Sequence, residues 1–99
     1  MLEAVKETAL DIAPAGTADI PLIRALAARI WPSAYAGVLT EAQIGNMLER
    51  IYSRENLCAE MAAGHRFWLA HYRSQPAGYV SAYREGDAVW IRKIYVDPA

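Results

Sequence analysis

Few side chains in this sequence combine a reactive type with a spacing that chemistry could use. Cys58 is the only cysteine, which excludes an intrachain disulfide and a metal site built on several thiolates; alone, it reads as a small buried apolar residue. The two histidines, His65 and His71, flank an apolar run of strand length. They share no helical face of the His-x-x-x-His kind, and no cluster of further ligands accompanies them to make a zinc site. His65 follows Gly64 and is expected to lie solvated at a helix end, complementing its dipole. Glu41, Glu49, Glu55 and Glu60 fall on polar helix faces and are expected to be solvated. The remaining candidates are aromatic and basic. Trp31 and Tyr35 lie in a segment of aromatic and small residues, where they either wall a pocket or anchor a loop. Trp90 and Arg92 lie on an apolar run near the C-terminal end. Neither serves as a general base, since indole does not titrate usefully and guanidinium stays protonated. Arg92 suits pairing with a carboxylate or a solvated place at a sheet edge.

Composition limits what such residues can belong to. A chain of 99 residues, 55% hydrophobic and 21% charged, buries roughly 60–65% of its unfolded surface, enough for one modest core and one domain, 1–99. The net charge of -1 and pI near 6.1 give no overall pull toward nucleic acid or anionic lipid. No apolar run approaches the ~20 residues of a membrane span, and Met1 to Leu10 carries Glu3, Lys6 and Glu7 where a signal peptide has its apolar core. No membrane partner and a cytoplasmic address are therefore expected.

The positioning elements follow from periodicity. Thr8 to Ala13 alternates as a short strand that Pro14-Ala15-Gly16 breaks. A helix follows, capped by Thr17 or Asp19, with Pro21 in its first turn, Ile20, Ile23, Leu26, Ala27, Ile30 and Trp31 at helical spacing, and Pro32 as its expected end. After the Trp31 to Val38 loop, Thr40-Glu41-Ala42-Gln43 is a capping box, with Leu39 and Ile44 placed as a hydrophobic staple. Ile44, Met47, Leu48, Ile51 and Tyr52 then form one apolar stripe. Ser53 caps a short helix with Leu57 and Met61 inward and Gly64 as its stop. Phe67 to Tyr72, Gly78 to Tyr83 and Ala88 to Val96 read as three strands joined by turns at Arg73-Ser74-Gln75-Pro76 and Glu85-Gly86-Asp87. The expected class is α+β: a mainly antiparallel four-stranded sheet with two to three helices after the first strand.

Several segments, in order, resemble the GCN5-related N-acetyltransferase (GNAT) family. They are Asp11-Ile12-Ala13-Pro14-Ala15 with Ala18-Asp19-Ile20; Trp31-Pro32-Ser33-Ala34-Tyr35; Gln43, Met47-Leu48 and Tyr52-Ser53; Gly64-His65-Arg66-Phe67; Pro76-Ala77-Gly78-Tyr79; and Lys93-Ile94-Tyr95-Val96-Asp97-Pro98. The resemblance implies direct transfer of an acetyl group from acetyl-CoA to a primary amine of a small molecule or peptide. It places Tyr95 and Val96 at the cofactor-binding bulge that ends the strand, where backbone N–H groups hold the thioester carbonyl and pantetheine arm; the fixed donors stabilise charge developing on that oxygen. It makes Trp31 and Tyr35 part of the acceptor pocket, with Trp90 as an apolar wall or core residue and Arg92 on the acceptor face. Family members often carry a Glu or His base at positions that here are Trp90 and Arg92, so the catalytic base is left unassigned.

The Gly-x-Gly segment that usually follows such a strand, and binds the pyrophosphate of coenzyme A, has no counterpart between Met1 and Ala99. The expectation is an N-terminal portion of the domain, holding the acceptor side, binding acetyl-CoA weakly and inactive alone. The alternative is a non-catalytic, self-associating remnant or interaction module. Strand parity on the last strand leaves either Val89, Ile91 and Tyr95 or Trp90, Ile94 and Val96 open, and a homo-oligomer through that strand is expected.

Overall fold

The computed structural model describes residues 10–97. In chain order these form β1 (Leu10–Ala15), a 3-10 turn (Thr17–Asp19), α1 (Ile20–Ala34), α2 (Glu41–Ile51), α3 (Arg54–Ala62), β2 (Arg66–Tyr72), β3 (Gln75–Glu85) and β4 (Ala88–Val96). The sheet order is β1-β2-β3-β4, antiparallel throughout. This is the α+β arrangement expected of the sequence, and β4 has the bounds read from its pattern.

Two prolines behave differently from expectation. β1 does not break at Pro14 but runs through it to Ala15, pairing Pro14 with Trp68. β1 pairs only with β2, and an edge strand tolerates a residue without an N–H on its open side. The expected strand start at Thr8 and Ala9 lies outside the described residues. Pro32 does not end α1, which continues to Ala34. A proline this late removes one bond of the last turn only, and Tyr35 N–H still reaches Trp31 O at 3.0 Å.

The helix ends follow local chemistry. Asp19 precedes α1, but its carboxylate accepts from Gly16 N (2.9 Å) rather than capping α1. Gln43 N donates to Thr40 Oγ1 (3.1 Å) while Thr40 N donates to Gln43 Oε1 (2.9 Å), completing the capping box of α2. Ser53 Oγ accepts from Asn56 N (3.1 Å) to start α3. Gly64, at φ +104°, closes α3: its N–H bonds Met61 O and that of His65 bonds Glu60 O, the paired bonds of a Schellman end. The β2–β3 turn places Arg73 and Ser74 both at positive φ, matching the twist of a two-residue hairpin.

The core lies between the helices and one face of the sheet. Ile23, Leu26, Ile30 and Trp31 of α1 and Leu57 of α3 are buried with Phe67, Leu69 and Tyr79 of the sheet, each contributing on the order of 1.5–3 kcal/mol through its buried side chain. Register and alternation put Trp68, Val80 and Ile94, with Ile12 and Val96, on the opposite face.

β4 carries one irregularity. Ser81 pairs with Lys93 and Ala82 with Ile91, so Arg92 is an extra residue, a bulge. The expected end-of-strand bulge at Tyr95 and Val96 is therefore not there: they pair regularly with Tyr79 and Gly78. The bulge also reverses parity along β4, because one inserted residue flips the face of every later side chain. The two apolar sets expected from simple alternation are consequently mixed. Trp90, opposite Tyr83, shares the helix side with Lys93 and Tyr95, while Val89, Ile91, Ile94 and Val96 take the other face; Ile94 and Val96 are each 66% exposed.

Candidate functional site

The end of α2, the start of α3 and the middle of β4 enclose a cleft of about 370 Å³, lined by Trp31, Tyr52, Tyr95, Glu60, Arg92 and Lys93 together with Arg50, Ile51 and Asn56. Trp31 reaches it from α1. Tyr52 reaches it as the C-cap of α2, its amide bonded to Leu48 O at 2.9 Å.

An aromatic wall forms its inner side. Trp31 packs against Tyr35 (ring centroids 4.8 Å apart), Tyr95 (5.6 Å) and Tyr52 (5.7 Å), and Tyr79 against Tyr52 (5.8 Å) and Tyr95 (5.6 Å). The hydroxyls pair: Tyr35 with Tyr95 at 2.8 Å, and Tyr79 donating to Tyr52 at 2.7 Å. Desolvation pushes the Tyr79 hydroxyl up to about 12, partly offset by its bond to Tyr52. Tyr52 is raised by desolvation and by that same bond, and Tyr95 by desolvation and its bond to Tyr35. All three are therefore neutral donors or acceptors near pH 7, not bases.

Opposite the wall lies an ion pair that sequence reasoning missed. Glu60 is only partly solvated: its Oε1 accepts from Lys93 Nζ at 2.8 Å and its Oε2 from Asn56 Nδ2 at 3.0 Å. Lys93 is only 9% exposed, and its ammonium also lies over the rings of Tyr52 (5.8 Å) and Phe67 (5.7 Å). A lysine within the apolar pattern of β4, together with a glutamate late in the short helix α3, was the available signal.

Of the residues singled out from sequence, the structure brings Trp31, Arg92 and Tyr95 to the cleft, with Tyr35 joined to it through Tyr95. It does not bring Trp90, which lies beyond the helices and is 55% exposed. Nor does Val96 line the cleft: it borders a separate hollow with Arg29, Pro76 and Asp97. Asp97 N donates to Ala77 O at 2.7 Å, so the two-residue alternation of an antiparallel strand turns the Tyr95 N–H toward β3 and the Val96 N–H toward the open edge. Arg29 fastens this end from α1, pairing with Asp97 at 2.6 Å and donating to Pro76 O at 3.1 Å. His65 too is only partly solvated: it is half-buried, stacks on Tyr83 at 4.7 Å, and has a buried Nδ1 without a partner. It borders a separate depression between β1, β2 and α3.

No family model matches this sequence, and no curated protein matches it. Solved structures do. A PaiA N-acetyltransferase from Thermoplasma acidophilum, solved in complex with coenzyme A, is 21% identical with a TM-score of 0.80; the match covers 90% of this chain and 59% of that one. A GCN5-related N-acetyltransferase from Rhodopseudomonas palustris is 19% identical with a TM-score of 0.68, over 89% of this chain and 52% of its own. A third, from Ralstonia eutropha JMP134, is 17% identical with a TM-score of 0.64, over 90% and 63%. The chain thus spans little more than half the length of these proteins. Its four-stranded antiparallel sheet and three helices are part of the GNAT acetyltransferase fold.

Proposed function

We propose that this chain provides the acceptor side and the thioester end of a site for acetyl transfer from acetyl-CoA to a primary amine. The observation that carries the proposal is the end of β4, where Tyr95 lines the cleft beside Trp31 and bonds Tyr35, and the next residue, Val96, turns its backbone N–H to the open edge. Acetyl-CoA supplies a thioester whose carbonyl carbon accepts the amine; the new C–N bond forms as the C–S bond breaks and the thiol leaves. Val96 N–H is the donor for the carbonyl oxygen, a fixed dipole where negative charge develops. The aromatic wall excludes water from one side of the amine. Glu60 is already engaged at both oxygens and Tyr52, Tyr79 and Tyr95 are protonated, so the proton released by the amine passes to water at the open side of the cleft.

Saturation-transfer difference spectroscopy with acetyl-CoA tests this from the ligand side. Saturation is expected mainly on the acetyl methyl and pantetheine protons; none, or saturation centred on the adenine, contradicts the reading. The open edge of β4 and the exposed Ile94 and Val96 also support self-association by pairing of β4 with its copy, in which the outward N–H and C=O groups of one strand meet those of the other.

A further inference from the structure

The cleft is charged unevenly. Three cations, Arg50, Arg92 and Lys93, face one carboxylate, Glu60. The carboxylate is used up by Lys93 and Asn56. Among the described residues no hydrogen bond or ion pair engages the guanidinium of Arg50 or of Arg92, so both are available to a ligand. Arg50 has an ordinary structural role as well, since it lies in the last turn of α2, where a cation complements the helix dipole. Arg92 has none of that kind. It stands at the β4 bulge as the residue without a ladder partner, and both it and Ile91 are exposed. Exposed as it is, Arg92 lines the cleft beside Lys93.

From this we infer that the acceptor amine carries a carboxylate, held by Arg50 and Arg92 in the cleft, in the manner of a small amino acid. The inference rests on the acetyl-transfer reading and adds the substrate class. Guanidinium matches a carboxylate in shape and charge and binds it through two parallel hydrogen bonds. The cleft is at the small end of ligand sites, which suits an acceptor of amino-acid size. Its ammonium is placed against the partly exposed Tyr95, whose ring attracts a cation before it is deprotonated for attack. A polycationic amine, by contrast, meets like charge from Arg50 and Arg92.

The test is an amide-shift titration of the 15N-labelled chain with β-alanine, β-alaninamide, 1,3-diaminopropane and acetate. β-Alanine is expected to move the amides of Arg50, Arg92 and Lys93 and to bind about tenfold or more tightly than its amide, the size of one charge-assisted contact. Arg50→Gln with Arg92→Gln, both at exposed positions, is expected to remove that preference while the chain stays folded, with only the small loss in melting temperature that the α2 dipole contact accounts for. Equal binding of β-alaninamide or the diamine overturns the inference. So does acetate binding as well as β-alanine, which marks an anion site indifferent to the amine. Displacement of β-alanine by coenzyme A does too, because the anion held there is then the cofactor's. Failure here is distinct from failure of the acetyl-transfer reading: acetyl-CoA contacting β4 while the amines show no carboxylate preference defeats only the inference. A carboxylate preference without any contact of acetyl-CoA leaves the anionic subsite standing and removes its role in acetyl transfer.

Discussion

The hydroxyls of Tyr35 and Tyr95 meet at 2.8 Å although 60 residues separate them. One residue caps α1 and the other lies near the end of β4, so this bond ties the wall of the cleft to the strand whose edge is proposed to hold the thioester. Tyr35→Phe is expected to lower stability by about 0.5–1.5 kcal/mol, the net worth of one hydrogen bond, measured as a lower denaturation midpoint with unchanged slope. In an acetyl-transfer assay, Tyr35→Ala is expected to raise KM for the amine and leave that for acetyl-CoA nearly unchanged. Equal effects on both substrates contradict the assignment of this wall to the amine.

Glu60 and Lys93 form a largely buried pair whose members depend on each other. Removing Lys93 alone leaves a desolvated carboxylate, so Lys93→Ala is expected to cost about 1–3 kcal/mol, below a fully buried pair because Glu60 retains some solvent. Lys93→Met combined with Glu60→Gln is expected to recover much of that loss. A double-mutant cycle from chemical denaturation measures it; additive effects rule out the coupling.

Gly78 faces the end of β4 so closely that a Cβ there would lie 2.5 Å from Tyr95 O and 3.2 Å from Val96 Cα. Both are backbone atoms of a paired strand and cannot swing aside. Gly78→Ala is expected to destabilise by about 1–3 kcal/mol and to shift the amide resonances of Tyr95 and Val96 most strongly. An unchanged melting temperature contradicts the close approach.

The raised tyrosines set an alkaline limit. Tyr79 is protonated up to about pH 12 in the fold and to about 10 in the unfolded chain. Below pH 10 both states are protonated and its contribution is full. From 10 to 12 the unfolded state ionises first, so stability falls by about 1.4 kcal/mol per pH unit from this group. Absorbance at the phenolate band is expected to show a class of tyrosines titrating only on unfolding; complete titration near pH 10 in the folded chain contradicts this.

Local signals were legible in the sequence: the Thr40–Gln43 capping box, the Ser53 cap and the Gly64 stop act within a few residues and fold as their chemistry dictates. The bounds of β4 were legible too, but the facing of its side chains was not. The site was less legible. The bulge at Arg92 has no glycine or other turn chemistry to announce it, yet it decides which β4 side chains enter the cleft, and without it Trp90 and Arg92 belong to one face. Glu60 looks solvated by helix periodicity because its partner lies 33 residues away. Pro14 and Pro32 break an isolated pattern, but an edge strand and a last helical turn accommodate them.

Self-association is expected to depend on the open face and edge of β4. Sedimentation at tens of micromolar should show a dimer or larger species, and Ile94→Lys should shift it to monomer. A stable monomer in the unmodified chain contradicts pairing through this strand.

The most direct test of the thioester site is the Val96 amide itself. Acetyl-CoA is expected to move the Val96 and Tyr95 resonances of the 15N-labelled chain, coenzyme A without the acetyl group to move them much less, and Val96→Pro, read at Tyr95, to abolish the difference. That variant removes the N–H turned to the open edge without taking a bond from the β3–β4 ladder. Equal shifts from acetyl-CoA and coenzyme A, or shifts confined to residues away from β4, would contradict the placement of the thioester at this strand.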